Sequence, residues 1–170
     1  VIAHALLLLL AAPPPLACPA GAAHRGAAPP EAFEEWCEGK DDAGRPRREG
    51  PSRRYYDDGG LWVEERWRAG KRDGPFVEWH RNGRKAREGA FTADARNGRF
   101  TTWLESGTVE EESEWRAGVP HGRFVSYWPT GKRRSEGRHC GGAQCGRWRT
   151  YDAAGRELGS MDYGEQSLAP

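Results

Sequence analysis

The stretch GRFTTWLESGTVEEESEWRAGVPH (98–121) runs without a gap into GRFVSYWPTGKRRSEGRHCGGAQC (122–145), and the two superpose position by position. Working outward, GPFVEWHRNGRKAREGAFTADARN (74–97) precedes them in the same phase and GRWRTYDAAGRELGSMDYG (146–164) follows. A weaker copy occupies 50–73, so the interval is 24 residues throughout Gly50 to Gly164. A fixed interval of this length marks a repeat architecture, in which each unit buries its apolar surface against the next.

The columns have a physical reading. Gly opens every unit, at Gly50, Gly74, Gly98, Gly122 and Gly146. Two residues on stand Phe76, Phe100, Phe124 and Trp148, with Ser52 as the exception; five on stand Tyr55, Trp79, Trp103, Tyr127 and Tyr151. A second Gly follows at Gly59, Gly83, Gly107, Gly131 and Gly155, several times in a turn dipeptide such as Asn82-Gly83. Such dipeptides favour tight hairpins because Gly accepts positive φ. Further on come Glu64, Glu88, Glu112 and Glu136, then a ring column of Trp67, Phe91, Trp115, His139 and Tyr163, then a second turn at Ala69-Gly70 and Ala117-Gly118.

Two turns per unit make two strands per unit, so the expected fold is all-β: an antiparallel meander of stacked hairpins in a single curved sheet. It should hold roughly nine or ten strands, each near the usual five to six residues. If the first turn is centred just before its Gly, the ring column lies opposite the opening Gly, where a ring can cover backbone left bare. The second turn is expected to keep the same register into the next unit. The rings two and five residues after the opening Gly have opposite parity, so either both faces are apolar or a bulge turns one ring over. The Glu column is expected to pair across strands with Arg or Lys.

These units resemble MORN repeats, in the bacterial variant form commonly labelled an antitoxin component, and GRFVSYWPTGKRRSEG (122–137) is the most typical stretch. The resemblance covers Gly50 to Gly164, departing at Ser52, at Asp94 in a Gly column and at His139 in a ring column. It implies a hairpin-stacked curved sheet and association with a protein or a membrane surface.

Composition narrows the function. Basic and acidic side chains number 26 and 25, so a nucleic-acid partner is not expected. Between Gly50 and Gly164 the aliphatic side chains are Leu61, Val63, Val77, Leu104, Val109, Val119, Val125, Leu158 and Met161, too few for a two-layer core. Rings must carry the packing, with Arg and Lys stems lying across them.

The N-terminus reads as an export signal over 1–17, with an apolar run Ile2 to Ala12 stopped by Pro13-Pro14-Pro15. Cleavage is expected after Ala17 or after Ala22. Pro15-Leu16-Ala17-Cys18 looks like a lipobox, so Cys18 is either lipidated, giving membrane-surface attachment, or bridged to Cys37. The stretch 18–49 is expected as an N-terminal segment ending in a polar linker, Lys40 to Glu49, and 165–170 as a tail. Cys140 and Cys145, expected face to face across a turn, read as a disulfide. The location expected is the periplasm, the outer membrane as a lipoprotein, or the exterior.

No enzyme is expected. His4, His24, His80, His121 and His139 stand in no catalytic pattern, and no phosphate-cradling loop appears. A metal site at His139, Cys140 and Cys145 would lack a fourth ligand, so neither metal nor cofactor is expected, nor a small-molecule substrate. The function expected is a non-catalytic envelope scaffold that binds a protein partner, with Trp79, Trp103, Tyr127 and Tyr151 as the binding rings. The alternatives are a cell-wall carbohydrate or choline binding module, which would use the same rings to stack sugars or cage a cation, and an antitoxin-like neutralising protein.

Overall fold

Gly83, Gly107 and Gly131 adopt φ of 78°, 90° and 80°, and each marks the end of one strand and the start of the next. The computed structural model describes residues 14–164; the apolar run Ile2 to Ala12, expected as part of an export signal, and the expected tail 165–170 lie outside the described residues. Among the described residues there is no helix, and the thirteen strands form a single sheet. They are β1 (Ala23–Ala27), β2 (Glu34–Lys40), β3 (Pro46–Tyr55), β4 (Leu61–Arg68), β5 (Lys71–Trp79), β6 (Lys85–Thr92), β7 (Ala95–Arg96), β8 (Gly98–Trp103), β9 (Val109–Arg116), β10 (Val119–Tyr127), β11 (Arg133–Cys140), β12 (Ala143–Tyr151) and β13 (Glu157–Asp162). Sequence order is sheet order and every pairing is antiparallel, apart from the two-residue β7, which pairs β6 beside the path. The fold is the all-β meander that the repeat implies.

The register inside each unit is the expected one. Gly50 faces Trp67, Gly74 faces Phe91, Gly98 faces Trp115 and Gly122 faces His139. Asn82-Gly83 is not a two-residue turn, however. His80 to Arg84 form a longer loop between the paired Trp79 and Lys85, closed by Gly83 N–H donating to the His80 carbonyl at 2.9 Å. The tight turns are the second ones. At Ala117-Gly118 both residues have left-handed φ, 48° and 83°, the two-residue geometry that matches strand twist. Asp94, which stands where other units have Gly, takes φ 71° and keeps the turn, since a short polar side chain tolerates this region.

Between units the register departs from expectation. The strand bodies pair as foreseen, Glu65 with Phe76 and Ser113 with Phe124, but near the turn Trp67 faces Arg72, Trp115 faces Pro120 and His139 faces Gln144. The opening strand carries extra residues around its Gly, which bulges at φ 124° in Gly74 and 109° in Gly122. A consequence is that Cys140 lies opposite Ala143 and Cys145 opposite Arg138. The two cysteines are diagonal neighbours and still bridge, with Cα atoms 5.8 Å apart.

Rings occupy both faces. Beside the fifth-position rings there is a bulge, but the extra residue sits on the partner strand: Glu78 pairs Arg87 and Trp79 pairs Lys85, leaving Ala86 over. Alternation along β5 is untouched, so Phe76 and Trp79 point to opposite sides. On the Phe76 face, Phe76, Phe91, Phe100 and Trp115 meet edge to face with centroids 5.4, 5.6 and 6.3 Å apart, and the first three are buried. The ring that covers a glycine is the second-position ring: a methyl group on Gly89 would lie 2.6 Å from Phe100. The opening Gly, opposite the ring column, is not covered this way.

Lys40 to Glu49 is not a linker. Asp41 Oδ1 accepts from the Ala43 and Arg45 amides at 2.9 Å and closes a hairpin between β2 and β3. Cys18 and Cys37 are bridged, Cα atoms 5.4 Å apart, so the Cys18 sulfur is held in a disulfide instead of a lipid linkage. The segment 18–49 therefore extends the repeat sheet.

Candidate functional site

The fifth-position rings lie on the face that carries the Glu column. Tyr127 Oη donates to Glu112 at 3.1 Å and Tyr151 Oη donates to Glu136 at 2.6 Å. Burial and the Glu112 charge push the Tyr127 phenol up, whereas the hydrogen bond to Glu136 is the main cause of the rise at Tyr151. Trp79 and Trp103 lie on the same face, both partly buried. The Glu residues are neutralised, but only in part across strands as expected: Arg53–Glu64, Arg99–Glu112 and Arg149–Glu136 cross strands, whereas Lys85–Glu88 and Arg133–Glu136 lie within one strand. Arg53 Nε reaches Glu64 at 2.7 Å, Lys85 Nζ reaches Glu88 at 2.6 Å, Arg99 pairs with Glu112, and Arg133 reaches Glu136 at 3.2 Å. Each such exposed pair contributes roughly 0–1 kcal/mol.

At the N-terminal end the same face holds a buried carboxylate. Glu35, 4% exposed, accepts from Tyr55 Oη at 2.5 Å and lies 3.0 Å from His24 Nε2 and 3.5 Å from Arg53 Nη1. Burial first, then the Glu35 carboxylate, pushes the Tyr55 phenol up to about 12. A buried carboxylate is tolerated only with partners of this kind. Leu16 is buried at this end of the molecule as well, and the Pro14 carbonyl accepts from Arg53 Nη1 at 2.6 Å.

The opposite face carries a column that sequence reasoning passed over. Arg48, Arg72 and Arg96 recur at the repeat interval, each two residues before an opening Gly. Their guanidinium carbons sit over rings: Arg48 at 5.1 Å from Trp67, Arg72 at 4.1 Å from Phe91, Arg96 at 4.7 Å from Trp115. Each arginine thus roofs the ring of the following unit, a contact worth roughly 0.5–2 kcal/mol. The column ends where Pro120 and Gln144 take the place of Arg. The signal was present as an Arg at constant phase, but it lasts only three units.

Two of these arginines are already neutralised. Arg48 reaches Glu34 at 2.6 Å, and Arg72 Nε lies 3.3 Å from Asp94 Oδ1. Arg96 is different: among the described residues no carboxylate pairs with it. Burial is the main cause pushing its pKa down and the charges of Arg87 and Arg72 add to it, while the more distant Glu111 opposes them without forming an ion pair. A groove of about 390 Å³ opens here, lined by Arg72, Arg87 and Arg96 above Phe91, Phe100 and Trp115.

A further column ties the units together. Tyr56 Oη donates to the Trp79 carbonyl at 2.7 Å, His80 Nε2 lies 2.8 Å from the Trp103 carbonyl, and Trp128 Nε1 donates to the Tyr151 carbonyl at 3.0 Å. Each bond spans from one unit's first loop to the next unit's strand end. Of the other histidines, His139 packs between Phe124 and Trp148, with centroids 5.4 and 5.1 Å away. Among the described residues no group of three or more His, Cys, Asp or Glu could hold a metal ion.

No family model matches the sequence. No curated protein matches it. Among solved structures, a point mutant of S. aureus TarM, crystallised with fondaparinux, alpha-GlcNAc-glycerol and UDP, is similar over 64% of this chain at 10% identity and a TM-score of 0.36. The likeness spans 20% of that protein's length and is too distant to bear on fold or function.

Proposed function

We propose that this protein is a non-catalytic, MORN-like repeat scaffold of the cell envelope that binds a protein partner through its ring-and-arginine face. The observation that carries the reading is the arginine column, with Arg48, Arg72 and Arg96 laid over Trp67, Phe91 and Trp115. Arginine and tryptophan at a groove are the residue types on which interface energy concentrates. Among the described residues, the single-layer sheet also leaves this face without a second layer over it. The Glu-column face is a poorer candidate because its carboxylates already have cations. That moves the proposed contact from Trp79, Trp103, Tyr127 and Tyr151 to the other side of the sheet. Export is supported by the two disulfides, which persist in oxidising compartments.

The test is site-specific photo-crosslinking in intact cells, with the reactive group at Arg72 or at Arg147 on the opposite face. Crosslinks to one protein from Arg72 and none from Arg147 are expected. Crosslinking from Arg147 alone, or release of the protein from envelope fractions by choline or free sugar, would end the protein-partner reading.

A further inference from the structure

The strongest unspent feature of the molecule is the charge of Arg96. A guanidinium stacked on Trp115 and Phe100, at 4.7 and 5.2 Å, keeps its N–H edge free for an acceptor. Partly buried positive charge without a carboxylate in direct contact is unfavourable, the charge of Glu111 acting only from a distance, and two more guanidiniums, Arg72 and Arg87, line the same groove. Arg72 and Arg87 have carboxylates of their own, Asp94 at 3.3 Å and Glu78 at 3.4 Å. The groove therefore has one unmet demand for an anion, placed above an aromatic floor.

We propose that this groove binds an acidic peptide segment in extended polyproline II conformation, with one carboxylate seated on Arg96. The proposal rests on the scaffold reading and names the chemistry of its partner. Spacing supports the conformation. One repeat is two strands, so neighbouring arginines of the column are roughly 9.6 Å apart across the sheet, given strands about 4.8 Å apart. A polyproline II helix brings every third side chain to the same side, at roughly 3.1 Å per residue or about 9.3 Å per turn. An acidic residue at every third position would thus seat one carboxylate on Arg96 and carry the next past the Arg72–Asp94 pair, with the intervening residues over the partly exposed Trp115. Sheet twist limits such a match to a couple of units.

The acid groups already in the column favour a peptide over a sulfated or uronic polysaccharide. Asp94 lies beside Arg72, and Glu34 beside Arg48 at 2.6 Å. A polymer charged at every residue would be held against these carboxylates, whereas spaced carboxylates can pass between them.

The test is calorimetric titration of the full chain with a synthetic peptide of repeated Glu-Pro-Pro, with its Gln-Pro-Pro counterpart and with dextran sulfate. Expected is saturable binding of the Glu peptide that falls at least about tenfold with the Gln peptide, the scale of one charge-assisted hydrogen bond. Arg96→Gln should weaken it to the same extent, Arg96→Lys by less, and Arg147→Gln, exposed on the other face, should leave it unchanged. Equal binding of both peptides, no binding of the Glu peptide, or indifference to Arg96→Gln overturns the proposal. Arg96-dependent binding of dextran sulfate alone overturns it in favour of a polysaccharide. None of these outcomes touches the crosslinking experiment, so an acidic-peptide failure leaves a protein partner at the same face open to its own test.

Discussion

The first half of the repeat, 50–121, and the second, 122–164, share a phase but hold their rings in different ways. In the first, each ring-column side chain is roofed by an arginine from the preceding unit, and Val63, Phe76, Phe91 and Phe100 form a buried cluster. In the second, Pro120 and Gln144 stand in the arginine column ahead of its two units, the rings are His139 and Tyr163, and a disulfide closes the turn beside His139. The last strand, β13, is exposed along its whole length, with Leu158 at 68% and Met161 at 61%. A repeat sets the backbone for every unit alike, while recognition chemistry can be confined to part of it.

The largest expected effect tests this division within one cross-sheet row. Phe100, Ser113, Phe124, Gly137, Trp148 and Met161 occupy equivalent heights on successive strands, yet Phe100 is 3% exposed and Met161 61%. Phe100→Ala should cost about 3–5 kcal/mol in urea unfolding, the usual loss for a buried ring. Met161→Ala should stay within about 0.5 kcal/mol. Equal costs would mean that the halves are packed alike.

The next effect separates two cross-links. Cys18–Cys37 closes a separation of 19 residues and Cys140–Cys145 one of 5. Loop entropy gives about 3 kcal/mol for the first and about 2 kcal/mol for the second. Paired Cys→Ser replacements should therefore rank in that order in denaturant midpoint. A larger loss from Cys140 and Cys145 would show that the second half depends on its staple more than on its rings.

Most of the fold was legible because the repeat makes each column a repeated observation. Gly83, Gly107 and Gly131 could be placed as bends from phase alone, and the pairing of Gly74 with Phe91 followed. What stayed hidden has no periodic signal. The inter-unit bulge lies at the opening Gly itself, where a column of glycines looks the same whether it pairs or bulges. The hairpin at Asp41 to Arg45 lies outside the phase. Its loop, closed by backbone bonds and the Asp41 carboxylate, is the one that Asp152 to Arg156 forms in phase, so the signal was a shared sequence, DDAGR and DAAGR, and not a period. Of the candidate site, the sequence pointed to the rings Trp79, Trp103, Tyr127 and Tyr151, whereas the site proposed above lies on the other face; which ring faces which way was not legible, because parity along β5 depends on which strand carries the extra residue. The arginine column ends after three copies, Arg48, Arg72 and Arg96, and a signal that short is easily taken for ordinary surface charge.

The smallest effect has a defined sign. His139 occupies a column otherwise filled by Trp67, Phe91, Trp115 and Tyr163, and burial holds its pKa below 6.5. Folding therefore favours the neutral ring, packed against Phe124 and Trp148. As pH falls through 6.5 the unfolded chain takes up a proton that the folded chain resists, so this contribution is present at neutral pH and lost on acidification. His139→Phe removes the titration and keeps a ring. The drop in melting temperature from neutral to mildly acidic buffer should be smaller in the variant than in the parent, the other histidines cancelling in the difference. An unchanged drop would place the acid sensitivity elsewhere, and His139 would then be as well accommodated charged as neutral, which a ring closed between two aromatic side chains should not be.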